Sequence, residues 1–183
     1  MTILHIDSSI NGENSASRAI SRSLVDQLVI ASPEPELIHR DLVSEPLPHL
    51  TLDAFADTSV LDEFMAADTV VIGAPMYNFT LPTQLKAWLD RILIAGKTFR
   101  YTENGPEGLA AGKRVVIALA RGGFYDVGSP AAALEHLESY LRGVFNFMGI
   151  EPEFVAADGL AIGPEQRETS IKQALGETVR LAA

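Results

Sequence analysis

An α/β fold, built as a doubly wound five-stranded parallel sheet in a three-layer α/β/α sandwich, is predicted by three features of this 183-residue chain. Apolar runs alternate with amphipathic stretches along its whole length. Three runs, Ile3–Ile6, Val70–Ile72 and Val115–Ile117, are short, near-continuous and rich in β-branched residues, as strands buried on both faces are. The stretches between them carry helix start and stop signals. Five strands alternating with five helices, joined by right-handed crossovers, leave a doubly wound order. The length suits one domain, residues 1–183.

The first strand is expected at Thr2–Asp7, and a serine-rich loop leads from it into a helix over Ser15–Ile30, with Ile20, Leu24 and Leu28 on one face. The second strand is expected at Leu37–Leu42. The Leu47–Asp57 stretch, flanked and interrupted by Pro46, Pro48 and His49, reads as a loop within the domain, followed by a weaker helix around Thr58–Ala67. The third strand, Thr69–Ala74, precedes a helix over Pro82–Ala95. Its residues Leu85, Trp88, Leu89, Ile92 and Leu93 recur at helical spacing, Pro82 suits the first turn and Gly96 the stop. The fourth strand is Arg114–Ala120. A helix then runs from Ser129-Pro130 to Gly149, and the fifth strand is Glu153–Ala157. The last helix follows Gly163-Pro164, with Glu165 and Glu168 in the first turn, where the helix dipole favours acids.

Composition removes several functions. With 14 Lys and Arg against 24 Asp and Glu, the net charge of −10 lacks the cationic footprint of a nucleic-acid binder. The absence of cysteine excludes disulfides, thiolate nucleophiles and iron–sulfur clusters. His5, His39, His49 and His136 are scattered, so no metal site is expected. No apolar run reaches the roughly 20 residues of a membrane span, and no signal peptide is evident, so a cytoplasmic protein is expected.

In an open α/β sheet the ligand lies beyond the carboxyl ends of the strands. After the first strand comes Ser8–Ser17, where free helix-start amides and hydroxyls form a neutral cradle for phosphate, with Arg18 close by. Its plain alternative is an N-cap at Ser15 or Ser17. The loop lacks both the dinucleotide glycine fingerprint and the P-loop ending. After the third strand, Ala74–Pro82 gathers Met76, Tyr77 and Phe79 as walls for a flat ring, with Asn78 for its polar edge. The alternative is a loop folded onto the core or a dimer contact. After the fourth strand, Gly122-Gly123 lets the backbone approach a ligand, unless it is a simple turn. Jointly the three loops describe a mononucleotide carrying a planar ring system, and FMN matches best. The acidity does not oppose this: residues 31–65 carry eight acids and one base, apart from all three loops.

Ala74-Pro-Met-Tyr-Asn-Phe79, Leu81-Pro-Thr-Gln-Leu-Lys86 and Gly96-Lys-Thr-Phe-Arg-Tyr-Thr-Glu-Asn-Gly-Pro-Glu-Gly108 strongly resemble the FMN-dependent NADH-azoreductases, members of the wider flavodoxin-like quinone reductases. The resemblance covers essentially the whole chain. It implies a flavodoxin-like homodimer with an active site at each interface and one non-covalent FMN per subunit, reduced by NADH or NADPH. A quinone or azo compound would then be reduced in a ping-pong cycle with hydride transfer through flavin N5. Carried over by position, Ser9, Ser15, Ala16 and Ser17 would hold the phosphate end. Met76, Tyr77, Asn78 and Phe79 would line the isoalloxazine, and Ala120, Arg121, Gly122 and Gly123 would meet its pyrimidine edge. Tyr125 would touch substrate or deliver a proton, unless it is a lid or interface aromatic, and Tyr101 and Phe147 would wall the pocket from the second subunit. Arg100 and Arg121 are the candidates for a 2′-phosphate. Two departures bear on substrate access: a shortened stretch between the second and third strands, and Ala120 where Ser is common. A small electron carrier and a non-catalytic flavodoxin-like regulator are the competing readings, separated from the enzyme by direct oxidation of NADH and by FMN titration.

Overall fold

Seven strands and five α-helices make up the computed structural model, which describes residues 1–182. Strands β1 (Thr2–Asp7), β2 (Glu36–Asp41), β3 (Thr69–Pro75), β6 (Arg114–Ala120) and β7 (Glu153–Ala157) pair in parallel in the order β2-β1-β3-β6-β7. The connection reverses direction between β1 and β3, so the switch point of the sheet lies there. β3 is buried at every residue, whereas β2, at an edge, is exposed or half-buried throughout and lacks a continuous apolar run. Helices α1 (Ala16–Ala31) and α5 (Pro164–Ala182) cover one face, packing Ile20, Leu24 and Ala174 on Ile3, Val71 and Val116. Helices α2 (Ser59–Ala66), α3 (Thr83–Ile92) and α4 (Glu138–Phe147) cover the other, where Phe64, Trp88 and Phe145 pack on Leu4, Ile72 and Ile117. Successive strand residues thus feed opposite cores, as the period of two requires.

The differences from the expected elements have local causes. α3 ends at Ile92 rather than Ala95 because the Thr98 hydroxyl donates to Ile92 O at 2.6 Å and accepts from Ile94 N at 3.1 Å. α4 begins at Glu138, and Ala132–Leu134 forms only a 3₁₀ turn. The Glu135 carboxylate accepts the amides of Leu137, Glu138 and Ser139 at 3.0, 2.7 and 2.9 Å and so fixes that helix start. Burial pushes the Glu135 carboxyl up, but these amides outweigh it and leave it below its usual value. The Leu47–Asp57 loop carries a 3₁₀ turn at Leu52–Ala56, and Arg91 Nη2 holds its Pro48 carbonyl at 2.7 Å.

An antiparallel hairpin, β4 (Phe99–Thr102) with β5 (Gly105–Gly108), is absent from the expected elements. It sits hard against the end of α4. A Cβ at Gly108 would fall 2.2 Å from Gly149 N, so only glycine allows the two backbones to meet. Among the described residues, no helix is long and apolar enough to cross a membrane.

Candidate functional site

At the β1–β3 switch point a cavity of about 190 Å³ opens. Ser8 anchors its floor by donating to Gly73 O at 2.7 Å. Ser15 is the N-cap of α1, its Oγ accepting from Arg18 N at 3.3 Å and lying 3.1 Å from Ser17 Oγ. The amides of Ala16 and Ser17 fall in the first turn, where the helix supplies no acceptor. The walls come from Ser9, Asn11, Asn14, Ser15 and Ala16 on this loop, Pro75 to Tyr77 after β3, Ala120 and Gly122 after β6, and Leu160, Ala161 and Arg167 after β7. Hydroxyls, amides and one guanidinium are a donor set matched to a phosphate.

A second groove, of about 620 Å³, continues from the first through the shared Met76 and Tyr77 and is otherwise lined by Ile10, Asn78 and Thr80 to Gln84. Its rim is a two-residue hairpin turn, in which Tyr77 N donates to Thr80 O at 2.9 Å and Thr80 N to Tyr77 O at 3.1 Å. Asn78 and Phe79 both have positive φ, 48° and 74°, the mark of a type I′ turn. Asn tolerates that conformation; Phe is strained in it. The Tyr77 hydroxyl ties the two loops together, accepting from Ile10 N at 3.1 Å and lying 3.1 Å from Ser9 Oγ.

The loop after β6 faces the cavity with backbone only. Its carbonyls at Arg121, Gly122 and Gly123 accept the amides of Leu160, Ala161 and Gly159 at 3.1, 3.0 and 3.0 Å. Among the described residues, the Gly122 and Gly123 amides have no protein acceptor. They are therefore available to the carbonyl-rich edge of a ring bound beside them. An anion cradle, an apolar groove and a pair of free amides thus meet at one switch point.

A family model described as a flavodoxin-like fold matches residues 1–181. The chain belongs to this flavodoxin-like family. It is 52% identical over 201 aligned positions to FMN-dependent NADH:quinone oxidoreductase 2 of Bradyrhizobium diazoefficiens, with 100% of each chain covered. Among solved structures, the azoreductase of Bacillus anthracis str. Sterne superposes with a TM-score of 0.91 at 29% identity, covering 100% of this chain and 98% of its own. The FMN-dependent NADH-azoreductase of Bacillus anthracis str. Ames Ancestor, solved in complex with FMN, gives a TM-score of 0.86 at 26% identity, with 100% and 99% covered.

Within this flavodoxin-like frame, two arginines near the loops turn away from the cavity. Arg18 grips Asp41 at 2.9 and 2.8 Å, donates to Ser9 O at 3.2 and 2.9 Å, and lies 3.4 Å from Asp7. Its hydrogen bonds hold the Asp41 carboxyl at about 2. Arg121 is 4% exposed, its guanidinium paired with Asp158 at 2.5 and 2.9 Å and with Glu138 at 3.3 Å. Only its backbone reaches the loop edge, and it is not free for a 2′-phosphate; Arg100 pairs with Glu107 at 2.7 Å on the hairpin.

The remaining expected residues divide. Ser17 is buried beneath the cradle, and Phe79 is 44% exposed at the turn. The Tyr125 ring packs over Gly123, whose Cβ position lies 3.4 Å from Tyr125 Cε2. Tyr101 and Phe147 cluster with Phe99 beside a separate apolar groove, ring centroids 5.6 and 4.7 Å from that of Phe99. Asn11, Asn14, Leu160, Ala161 and Arg167 were not among the expected residues. The first two sit in the serine-rich loop, and Leu160 and Ala161 follow the carboxyl end of the last sheet strand, so position signals them; nothing local signals Arg167. His5 and His39, distant in sequence, are opposite one another in the β1–β2 register and stack at 4.7 Å. With Asp7 they place three ligand-type atoms within 4.8 Å of one another. Ser21 and Arg18 fill out this cluster as hydrogen-bond and charge partners, Ser21 Oγ lying 3.0 Å from His5 Nε2 and 3.2 Å from Asp7 Oδ1. Burial pushes the Asp7 carboxyl up, but His5, His39 and Arg18 bring it below its ordinary value.

Proposed function

We propose that the chain is a cytoplasmic, homodimeric FMN-dependent NADH:quinone oxidoreductase that also reduces azo compounds. The observation that carries this is the continuity of the hydroxyl-and-amide cavity with the Met76–Tyr77 groove at the switch point of the sheet. Ser9, Ser15 and the first-turn amides of Ala16 and Ser17 hold the phosphate end, with the buried Ser17 hydroxyl supporting Ser15 Oγ from beneath. Met76, Tyr77, Asn78 and Phe79 line the ring. Ala120, Arg121, Gly122 and Gly123 meet its pyrimidine edge through the backbone, and the free Gly122 and Gly123 amides favour charge gathering there. When bound, FMN would supply the redox chemistry, a two-electron ping-pong exchange between NADH and a quinone or azo acceptor. Tyr125, folded over Gly123, stands on the substrate side. The burial of Arg121 and the pairing of Arg100 support NADH over NADPH.

The dimer rests on a second surface. An apolar groove of about 510 Å³ between the end of α3, the hairpin and α4 is lined by Leu93, Phe99, Tyr140, Val144 and Phe147, and Tyr101 beside it is 75% exposed. A second copy of the chain covers this face and brings Tyr101 and Phe147 to the active site; sedimentation should give a dimer.

The test of function is anaerobic. FMN-loaded protein should lose its visible flavin absorbance on addition of NADH and regain it with a quinone. Protein that holds no FMN, or whose flavin stays oxidised in NADH, overturns the reading. Double-reciprocal plots at several quinone concentrations should be parallel; intersecting lines exclude a shared site for the two substrates.

A further inference from the structure

Of the residues lining the 190 Å³ cavity, Arg167 alone is charged. It stands in the first turns of α5, half-buried, and its Nη2 donates to Asn14 O at 2.8 Å. That bond fastens the guanidinium across the mouth of the serine-rich loop while using one of its five N–H donors. Among the described residues no carboxylate lies within salt-bridge distance of it. The contrast with the two other arginines on these loops is sharp. Arg18 is neutralised by Asp41 and Asp7, and Arg121 by Asp158 and Glu138. Both charges are consumed inside the protein, and only the charge of Arg167 faces the cavity uncompensated.

We propose that Arg167 binds the phosphate of the flavin and makes the site select FMN over riboflavin. The inference rests on the FMN reading above and adds to it the residue that reads the phosphate. A phosphomonoester carries about −1.5 to −2 charges at pH 7. Serine hydroxyls and helix-start amides supply hydrogen bonds to it but no full positive charge. One guanidinium at contact supplies that full charge through charge-assisted hydrogen bonds. The phosphate recognised belongs to the flavin rather than to the dinucleotide, because Arg167 shares its cavity with Ser9, Ser15 and Ala16, the hydroxyl-and-amide end of the site.

The experiment uses apo-protein titrated with FMN and, separately, with riboflavin, read by quenching of flavin fluorescence at low and high salt. Arg167→Gln should weaken FMN by about tenfold or more, leave riboflavin unchanged and reduce the salt dependence of FMN binding. Arg167→Lys should recover part of the loss. Equal weakening of both flavins would show that Arg167 merely clamps α5 to the loop, and would overturn the proposal. So would unchanged FMN affinity, including the case where only the KM for NADH rises. The riboflavin arm also reports whether the variant is folded. Wild-type protein that binds no FMN sinks the functional reading and this inference together. Wild-type protein that binds FMN no better than the Arg167→Gln variant sinks the inference alone.

Discussion

The loops after β1 and β6 are braced from behind by an arginine, while the loop after β3 has no ion pair among the described residues and is held by its backbone turn and by neutral hydrogen bonds to Ile10 and His136. Arg18 ties Ser9 O to Asp41, and Arg121 ties the Gly122-Gly123 edge to Asp158 and Glu138. The Tyr77–Thr80 turn instead closes on two backbone bonds with Phe79 in a left-handed conformation. The phosphate cradle and the pyrimidine edge are thus preorganised by charges turned inward, so their ligand-facing donors cost little to align when FMN binds. The Tyr77–Thr80 end, along the ring, stores strain in place of charge, and it is the part of the site with an aromatic to present. The two ends should therefore fail differently.

The largest effect is expected at Arg121. Arg121→Leu leaves Asp158 and Glu138 facing one another without their cation, and unfolding in urea should show a loss of about 3–5 kcal/mol. A loss below about 1 kcal/mol, the level of an exposed ion pair, would show that the brace is dispensable and that Ala157, Gly159 and Ala161 hold the loop by themselves.

Acid should act on the other brace. The Asp41 carboxyl is held at about 2 against an ordinary 3.8, so its folded value is depressed. The stability it contributes is complete above the unfolded value and drains away as pH falls from 3.8 towards 2. With solvent screening at this partly exposed site, the contribution is on the order of 1–2 kcal/mol. Asp7 and Glu135 are also depressed and titrate in the same sense. The Arg18→Met variant removes the cation from both Asp41 and Asp7: its stability should fall less steeply through that window than the wild type. An unchanged slope would assign the acid sensitivity to carboxylates that Arg18 does not touch, Glu135 among them.

This difference between braces and turn also explains what the sequence discloses. The three central strands, β1, β3 and β6, are legible because burial on both faces demands apolar β-branched runs, and all five sheet strands lie within a residue of their expected bounds. The three loops are legible by composition, since a ligand-facing loop must carry its chemistry locally. The braces are not: Arg121 finds Asp158 and Glu138 through tertiary folding, and His5 finds His39 only through the parallel register. The hairpin is hidden for another reason. Gly105-Pro106-Glu107-Gly108 has poor strand propensity, and it pairs because Arg100 meets Glu107 across it and Gly108 packs on Gly149. The late start of α4 follows from a Glu135 carboxylate that reads in sequence as one more surface acid.

A smaller effect is expected where the two kinds of loop meet. Tyr77→Phe removes the hydroxyl that Ile10 N donates to and that Ser9 Oγ contacts. The loss should be about 1 kcal/mol in stability, with FMN affinity reduced because the cradle and groove are no longer fastened together. Unchanged FMN affinity would mean that the Arg18 brace alone fixes the position of Ser9.

The smallest effect has the opposite sign. At Phe79 a non-glycine residue holds φ at 74° in the turn position that favours glycine, and its side chain is 44% exposed, so little burial compensates the strain. Phe79→Gly relieves a left-handed penalty of about 1–2 kcal/mol and incurs about 0.5–1 kcal/mol of added backbone entropy. The net should be a gain of at most about 1.5 kcal/mol in unfolding free energy. If the strain is kept for the ring, the same variant should bind FMN more weakly and turn over more slowly while melting no earlier. A variant that melts earlier and binds FMN as well as the wild type would show instead that Phe79 earns its place by packing, and that the two ends of the site do not differ as their bracing implies.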